Sequence, residues 1–495
     1  MVGTIKLNTK NLVNIHPDVS VPTYDRGGIQ TGIVHVGVGG FHRAHQALYT
    51  DDLMQKHGVT NWGICGVALL DVDRKIYEVL KKQEGLYTLM YTNADGSLTA
   101  RVIGSITEML FAPDDPEAVI EKMASEQTRI ITLTITEGGY NFDQTTGEFL
   151  PETPSVLHDI KTPLQPKTIF GYLTQAIKRR KDRKASGFTI QSCDNIQQNG
   201  DVAKEMLLEY VRLAEPSLVD WIERHVAFPN SMVDRITPVT ALSDIEKLRE
   251  VYNIDDEWPV ICEPFYQWVI EDKFSNGRPE WDKAGAQFVV DVHPYEKMKI
   301  GLVNGGHTAL AFSGYIHGYR YVCDVASDTV YAKFLKDFID NEVIPTLDDV
   351  PGIDLSAYKE TLVERFENPH IKDQLTRVFS ESSAKIPKFL LPTIKEQLIL
   401  NGPIKCAAVM LAAWCRYLEL AGTPGYDYEI QDEIRDVLQQ KARESVDGDP
   451  LAFLKIESIF GDLVQSARFV NTYIPIINGV RTVGIREVIS RLEEY

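Results

Sequence analysis

Three side chains with complementary chemistry lie close together between positions 299 and 307. Lys299, Asn304 and His307 stand at offsets 0, +5 and +8 within a segment of apolar helical periodicity. At about 100° per residue, these side chains and Glu296, one turn earlier, fall within roughly 140° of one helix face. Lysine can act as a base, asparagine can donate a hydrogen bond and an imidazole can orient either of them. A solvated lysine, a capping asparagine and a core histidine would give the same pattern, so it leaves both interpretations open.

A second pattern combines a short β-rich run, 33–36, with Gly37 and Gly39 and with helical periodicity over 45–57. Strand, glycine turn and helix form the first βα turn of dinucleotide-binding folds. There the glycines permit a tight turn and a close approach of pyrophosphate to the helix N-terminus. A complete G-x-G-x-x-G would need glycine at position 42, which is His42. Many strand-to-helix turns contain two glycines, so this motif alone is weak evidence.

Acidic residues follow the next predicted strand, 62–70, where such folds bind the adenosine ribose hydroxyls. Asp71 and Asp73 both occupy this position. We predict Asp73 as the ribose ligand, with Asp71 as the alternative, and either carboxylate would repel a 2′-phosphate and favour NAD over NADP. The neighbouring Arg74 could accommodate that phosphate, and each aspartate could instead cap a helix N-terminus.

The order of the predicted elements defines the fold class and the domains. With 495 residues, 44% of them hydrophobic, the chain is too long for one ordinary core. Predicted strands and helices alternate in the first part, with further strands at 129–136 and 188–192, whereas mainly helical periodicity begins near position 291. We therefore predict an α/β fold: a Rossmann-type, doubly wound domain at 1–284 and a mainly helical domain at 285–495.

Composition excludes several classes of protein. The net charge of −19 opposes binding to nucleic acid or to anionic lipid. The six cysteines show no C-x-x-C spacing, which suits a reducing compartment and argues against a cysteine-rich zinc site. The longest apolar stretch, 404–420, is interrupted by Lys405 and Arg416, and we read it as a buried helix. We expect a soluble cytoplasmic protein with no metal, nucleic-acid or membrane partner.

Four segments resemble, in the expected order, motifs of the polyol-specific long-chain dehydrogenases. They are GVGGFHRAH (37–45), SCDNIQQNG (192–200), VAFPNSMVDRITP (226–238) and the run Lys299-x4-Asn304-x2-His307. The resemblance covers about residues 30 to 390 and leaves the last hundred residues without diagnostic motifs. It implies a Rossmann-type domain, a helical domain, a substrate cleft between them and metal-independent oxidation of a secondary alcohol by NAD.

The resemblance also implies roles for the site residues. Lys299 is the expected base, because burial beside a positive nicotinamide would lower its pKa from about 10.4 towards a useful range. Asn195 and Asn304 are expected to donate hydrogen bonds to the carbinol oxygen as it becomes alkoxide-like. His307 is expected to orient the substrate or Lys299, with a role as the base itself as the rival.

Further positions are implied around this centre. Asp234 is expected to bind the polyol, or alternatively to form an ion pair with Arg235 at the domain interface. Glu296 is expected to relay the proton to solvent, or to interact with the helix dipole. The remaining implied residues are Arg377 and Lys385 at the distal hydroxyls, Gly37, Gly39 and Phe41 at the cofactor, and Glu137, which borders the nicotinamide pocket or only shapes its turn.

The expected reaction is the reversible oxidation of D-mannitol to D-fructose by hydride transfer from C2 to NAD. The loop 379–384 lacks the Gly-Ser-Gly sequence associated with mannitol-specific members of the family. The alternatives are therefore oxidation of D-arabinitol or sorbitol and reduction of a hexuronate such as fructuronate. A non-catalytic dinucleotide-binding protein is the alternative of another class. The sequence leaves the oligomeric state unknown.

Overall fold

The computed structural model describes residues 4–93, 95–143 and 146–495, with the backbone alone at 447. It divides the chain into two compact units, unit 1 up to His293 and unit 2 from Pro294 to Tyr495.

Unit 1 contains all the named strands: β1 (Ile5–Lys6), β2 (Thr31–Val36), β3 (Gly63–Ala68), β4 (Tyr87–Thr92), β5 (Leu98–Ile103), β6 (Ile106–Phe111), β7 (Ile130–Leu133), β8 (Thr189–Ser192), β9 (Ser231–Asp234), β10 (Ile254–Asp255), β11 (Val260–Ile261), β12 (Gln267–Glu271) and β13 (Gln287–Val289). Its α-helices are α1 (Gly40–Ala44), α2 (Gln46–His57), α3 (Arg74–Lys82), α4 (Pro116–Ala124), α5 (Pro154–Lys161), α6 (Ile169–Asp182), α7 (Asn199–Ala214), α8 (Val219–His225) and α9 (Leu242–Tyr252).

The central sheet of unit 1 has five parallel strands in the order β6-β3-β2-β7-β8. The chain fills one side of β2 with β3 and β6 and then returns to fill the other side with β7 and β8. The strand order thus reverses between β2 and β7, where open α/β sheets bind ligands beyond the carboxyl ends of their strands. The predicted Rossmann-type, doubly wound sheet is confirmed.

Both faces of this sheet are buried, as parallel sheets require. Val34 and Ile131 contribute to a core that includes apolar side chains of α4, α6 and α7. Ile33 and Ile130 point to the opposite face, into a core shared with α1 and α2. Alternation of side chains along each strand produces these two layers from runs whose residues are almost all buried.

The predicted strands correspond to β2, β3, β7 and β8, but other strands were missed. β6 is an edge strand with partly exposed side chains, and it is recognisable mainly through its pairing with β3. Unit 1 also contains small sheets in the orders β11-β4-β5, β13-β12-β9 and β1-β10. Their strands are short or far apart in sequence, so local periodicity gives little signal for them.

The regular elements of unit 2 are helices, joined by turns and loops such as 421–434 and accompanied by isolated bridges, which confirms the mainly helical domain. Its α-helices are α10 (His293–Lys299), α11 (Gly305–His317), α12 (Val322–Ala326), α13 (Thr329–Asp337), α14 (Leu355–Glu367), α15 (Leu375–Phe379), α16 (Ser382–Phe389), α17 (Leu391–Leu400), α18 (Lys405–Leu420), α19 (Arg435–Asp447), α20 (Glu457–Phe460), α21 (Ala467–Thr482) and α22 (Ile485–Ser490). Two further segments, Ile300–Asn304 and Phe338–Val343, are π-helical.

Helix α18 is the core helix of unit 2 and packs against α11 and α21. Almost all its side chains are buried, which confirms the buried helix expected at 404–420. None of the helices in the described part of the chain is long and apolar enough to cross a membrane.

Candidate active site

The glycine turn of unit 1 follows β2 directly. Gly37 has φ +95°, and a Cβ at this position would lie 2.0 Å from the carbonyl oxygen of Thr134, so only glycine fits. Gly39 is exposed, and a Cβ there would meet nothing closer than the Gly37 oxygen at 3.9 Å. Gly37 is therefore required by the close approach of β7. Gly39 instead leaves an open backbone at the start of α1, which suits the approach of a pyrophosphate.

Phe41, the third residue implied at the cofactor, is half-buried in α1 and stacks on His45 with ring centroids 4.9 Å apart. His45 is fully buried and hydrogen bonds to the Gln267 carbonyl over 2.8 Å. Burial lowers the pKa of His45 to about 4, so the ring is neutral at physiological pH. Phe41 thus packs against a neutral, buried imidazole.

The two aspartates after β3 differ in their surroundings. The Asp73 carboxylate accepts a hydrogen bond from the Leu70 amide over 3.1 Å, which matches its alternative role at a helix N-terminus. Asp71 has an 82% exposed side chain and lies 3.5 Å from the Arg74 guanidinium. Arg74 also donates two hydrogen bonds to Asp114, over 3.0 and 2.9 Å. Of the two carboxylates, Asp71 is the more accessible to a ribose.

Asn195 lies just beyond the carboxyl end of β8, where its side chain is exposed. The preceding residue, Asp194, is buried and accepts hydrogen bonds from the Ile135 amide (3.1 Å), the Thr136 amide (2.8 Å) and the Tyr140 hydroxyl (2.7 Å). Burial raises the pKa of Asp194 to about 6 despite these donors. Asp194 therefore ties the turn that carries Asn195 to the loop after β7.

The second asparagine of this motif, Asn199, has a structural role. Its buried amide donates to the carbonyls of Asp194 (3.0 Å) and Ser231 (2.8 Å) and accepts from the Ser231 amide (2.9 Å). These bonds hold the turn after β8 against the start of β9.

Asp234 is the last residue of β9 and is buried. The next residue, Arg235, donates twice to the Glu263 carbonyl, over 3.0 and 2.8 Å, and once to the Ala44 carbonyl. Its guanidinium also lies 4.9 Å from the centre of the Tyr266 ring. Arg235 thus fixes the backbone around the end of β9, directly after Asp234.

The Lys299–His307 segment of unit 2 is helical, but it is not the regular α-helix predicted above. Lys299 ends α10, residues Ile300–Asn304 form a π-helical turn, and α11 begins at Gly305. A π-turn hydrogen bonds across five residues, so Lys299 and Asn304 lie nearer to the same side than the predicted spread of about 140°. A Cβ at Gly301 would lie 2.6 Å from Val343 Cγ1, so close packing against the second π-helical segment accompanies this departure.

Two ionisable side chains near the start of this segment are buried. Lys299 is 7% exposed and Glu296 is 6% exposed. Asn304 is half-buried, and among the described residues its Oδ1 atom has no hydrogen-bond partner. Buried amide oxygens are rarely left unpaired, which makes this amide a candidate for ligand contact.

His307 is held from two sides. Its ring packs against Phe366 with centroids 4.2 Å apart and the ring planes tilted by 38°, and its Nε2 atom lies 3.8 Å from the carboxylate of Asp373. Asp373 is buried and accepts two hydrogen bonds from Arg377, one of them over 2.6 Å from Nε. The structure therefore brings His307 and Arg377 together through Asp373.

Lys385 is positioned near the end of α15. Its ammonium group donates to the Val378 carbonyl over 3.1 Å and to the Ser380 hydroxyl over 3.3 Å. A longer contact of 3.4 Å reaches the Arg377 carbonyl. Lys385 and Arg377 thus belong to one local cluster.

Sequence reasoning missed Asp194 and Asp373. Asp194 stands directly before Asn195 in the strand-end motif, and Asp373 stands four residues before Arg377, so both had a positional signal. Aspartates in loops usually serve turns, and nothing local distinguishes these two. Elsewhere, the part of the chain that the structure describes contains no group of three or more His, Cys, Asp or Glu residues placed to hold a metal ion.

The candidate residues of the two units, each unit taken by itself, indicate a class of protein. Unit 1 provides a dinucleotide-type glycine turn and a strand-end amide, and unit 2 provides a buried lysine with an amide and an imidazole. These groups meet the needs of alcohol oxidation by a dinucleotide: donors for phosphate, a base and donors for a developing oxyanion.

Comparison with known proteins agrees with this class. Residues 31–283 match the family model described as mannitol dehydrogenase Rossmann domain, and residues 291–475 match the mannitol dehydrogenase C-terminal domain. The chain is 44% identical to mannitol 2-dehydrogenase of Neosartorya fischeri, over 99% of both chains, and 45% identical to that of Pyricularia oryzae, over 92% of both. The chain belongs to the mannitol dehydrogenase family.

Two solved structures are similar over nearly their whole length. Pseudomonas fluorescens mannitol 2-dehydrogenase in ternary complex with NAD and D-mannitol matches with a TM-score of 0.89 and 44% identity, over 99% of both chains. A substrate-free D-sorbitol dehydrogenase matches with a TM-score of 0.90 and 36% identity, covering 98% of this chain and 100% of the other.

Proposed function

We propose that this protein oxidises D-mannitol to D-fructose with NAD, reversibly and without a metal ion. The observation that carries the proposal is the buried Lys299 at the start of a π-helical turn that also contains Asn304 and leads to His307. Full-length similarity to mannitol 2-dehydrogenases, one of them solved with NAD and D-mannitol, supports the substrate and the cofactor.

In the proposed mechanism Lys299 removes the proton from the C2 hydroxyl of the polyol. When bound, NAD supplies the acceptor for the hydride that leaves C2, so that a ketone forms. Asn304 and Asn195 donate hydrogen bonds to the oxygen without competing for the proton, and one such donor is worth about 3 kcal/mol in comparable sites. His307, oriented by Asp373 and Phe366, positions the substrate. In the reverse direction the same groups return the proton to the ketose.

Other side chains take supporting roles in this proposal. Asp234, Arg377 and Lys385 bind hydroxyls away from the reacting carbon. Glu296, one helical turn before Lys299, passes the proton between Lys299 and solvent. Gly37, Gly39 and Phe41 form the turn beside the cofactor pyrophosphate.

Metal independence follows from what these side chains supply. A catalytic zinc ion would act as a Lewis acid on the alcohol oxygen and favour its ionised form. Here Lys299 takes the proton and two amides stabilise the oxygen, so the same needs are met by protein groups. Activity should survive dialysis against a chelator, and a loss that added zinc restores would overturn this part of the proposal.

The preference for NAD over NADP is assigned to the carboxylates after β3. Asp73→Ser should improve NADPH use if Asp73 meets the ribose, whereas Asp71→Ser should do so if the more exposed Asp71 does. The ratio of kcat/KM values for NADH and NADPH in the two variants decides between them. If neither variant used NADPH better than the wild-type protein, neither aspartate would bind the ribose.

The second candidate substrate is D-sorbitol, favoured by the similarity to D-sorbitol dehydrogenase. Two parallel assays test the assignment. One follows NADH oxidation with D-fructose, D-xylulose and fructuronate, and the other follows NAD reduction with mannitol, sorbitol and arabinitol. Preference for fructose and mannitol supports it. Preference for fructuronate would keep fold and mechanism and assign a hexuronate substrate, and inactivity on all six would favour a non-catalytic dinucleotide-binding protein.

A further inference from the structure

The loop after β7 contains a residue in an unfavourable backbone conformation. Thr136 has φ 59° and ψ 170°, a region that is almost restricted to glycine. A β-branched side chain makes this conformation more costly still. The Thr136 side chain is exposed, so packing of its methyl group into a core does not explain it.

The contacts that hold Thr136 come from the neighbouring strand end. Asp194 accepts the amide of Thr136 with one carboxylate oxygen, over 2.8 Å, and the amide of Ile135 with the other, over 3.1 Å. The Tyr140 hydroxyl also donates to Asp194, over 2.7 Å, and shares a contact of 2.6 Å with the Ser192 hydroxyl. One buried carboxylate therefore fixes two successive amides and the end of the loop.

This arrangement connects three parts of the candidate site in unit 1. Asp194 directly precedes Asn195, and Thr136 directly precedes Glu137. Two residues before Thr136, Thr134 donates to the Gly37 carbonyl over 2.6 Å and packs its own carbonyl against the Gly37 Cα. A movement of the loop would displace the groups on either side of it.

We propose that Asp194 is a positioning residue of the proposed reaction, because its carboxylate holds the strained Thr136 turn and thereby places Asn195 and Glu137 at the carboxyl edge of the sheet. The proposal rests on the proposed function for its effect on turnover, but the loop geometry can be tested independently of turnover. Burial and three donors leave the carboxylate no other evident role in ligand contact.

A matched control exists in the same unit. Asp159 is fully buried and accepts the amides of Lys167 (2.7 Å) and Thr168 (2.8 Å) together with the Thr168 hydroxyl (2.7 Å). Thr168 has an ordinary φ of −96°. Like Asp194, Asp159 accepts two successive amides and one hydroxyl, and it also contacts the His158 ring over 3.1 Å, but the loop it holds is unstrained and carries no residue of the candidate site.

The experiment compares Asp194→Asn, Asp159→Asn, Thr136→Gly and the double variant Asp194→Asn with Thr136→Gly in the full-length protein. Asp194→Asn should lower kcat for the polyol at least tenfold, whereas Asp159→Asn should leave kcat within twofold of wild type even if both lower the melting temperature. Thr136→Gly alone should stay near wild type. In the double variant glycine adopts the turn without strain, so most of the lost kcat should return.

Hydrogen exchange of the peptide spanning 134–140, followed by mass spectrometry, reports on the loop without turnover. Exchange should accelerate in Asp194→Asn and remain at the wild-type rate in Asp159→Asn. Equal kcat losses in the two asparagine variants, or no rescue by Thr136→Gly, would overturn the proposal. An inactive wild-type protein would instead refute the proposed function, and faster exchange in Asp194→Asn alone would still support the role of Asp194. If Asp194→Asn does not fold, the double variant and Thr136→Gly supply the comparison.

Discussion

The two units position their candidate site residues by different means. In unit 1, Asn195 and Asp234 stand at strand ends, and Asp194, Asn199 and Arg235 hold the surrounding backbone through hydrogen bonds between distant segments. In unit 2, Lys299, Asn304 and His307 follow one another along a continuous helical run. The positions of the strand-end residues therefore depend on hydrogen bonds to distant segments. The positions of Lys299, Asn304 and His307 depend mainly on the geometry of the helical run that carries them.

The largest expected effect concerns the helical set. Lys299→Ala should lower kcat by about a thousandfold, since general base catalysis contributes roughly 10²–10⁴ in rate. Lys297→Ala is the matched control on the same helix. Lys297 forms ion pairs with Asp348 (3.4 Å) and Glu396 (3.2 Å) and has no role in the proposed reaction, so this variant should keep its turnover. Steady-state kinetics, with NADH affinity measured by fluorescence, should show unchanged cofactor binding in both variants. Retained turnover in Lys299→Ala would remove lysine as the base.

The two asparagines of the strand-end motif should separate catalysis from stability. Asn195→Ala should lower kcat about a hundredfold through loss of an oxyanion donor, with little change in melting temperature. Asn199→Ala should instead destabilise unit 1 by roughly 2–3 kcal/mol, because it removes three buried hydrogen bonds. Chemical denaturation and kinetics on both variants make the test. If both variants lost turnover and stability to the same extent, the division of these residues into a catalytic and a structural asparagine would be wrong.

Asp373 is the long-range element in the otherwise local arrangement of unit 2. Asp373→Asn should weaken the pairing with Arg377 and His307 and raise KM for the polyol about tenfold, with a smaller change in kcat, as expected when binding contacts are lost. Lys359→Ala, which removes an ion pair of 2.8 Å with Asp340, serves as the surface control. A fall in kcat without any change in KM would place Asp373 in the chemical step instead.

The remaining prediction concerns the pH dependence of stability and leaves turnover aside. Glu342 is buried and accepts the amides of Cys406 (2.7 Å) and Ala407 (2.9 Å), and burial raises its pKa from 4.5 to about 7. Because the folded state holds this proton more tightly than the unfolded state, the contribution to stability is full below pH 4.5 and is lost as pH rises through about 7. It amounts to at most about 3 kcal/mol. Glu342→Gln should flatten this part of the pH profile of the melting temperature measured by calorimetry, and an unchanged profile would contradict the assignment.

Asp194 in unit 1 also stabilises the folded state at low pH, and its contribution is lost over a lower pH range than that of Glu342. Its pKa rises from 3.8 to about 6 through burial, so its contribution declines between these values as pH increases. Asp194→Asn should therefore alter the profile at lower pH than Glu342→Gln does.

Local sequence patterns predicted much of this structure. The runs of β2, β3, β7 and β8 are short and contain β-branched residues, and α18 is apolar around most of its surface, so composition and periodicity identified them. Strand β6 was missed because the sequence of an edge strand with polar, half-exposed positions is hard to distinguish from that of a loop. The π-turn was missed because α-helical periodicity was assumed for residues 300–304, and the close packing of Gly301 against Val343 that accompanies it joins positions far apart in the sequence.

The sequence by itself determined the family, the order of the two domains and the types of residue available for chemistry. These properties depend on motifs and on periodicities that act over a few residues. Tertiary structure decided which polar groups hold others in place: Asp194 against the loop after β7, Asn199 against β9, and Asp373 between His307 and Arg377. Each of these roles includes a partner far along the chain that is reached only after folding, so the local pattern of residues was not enough to predict them.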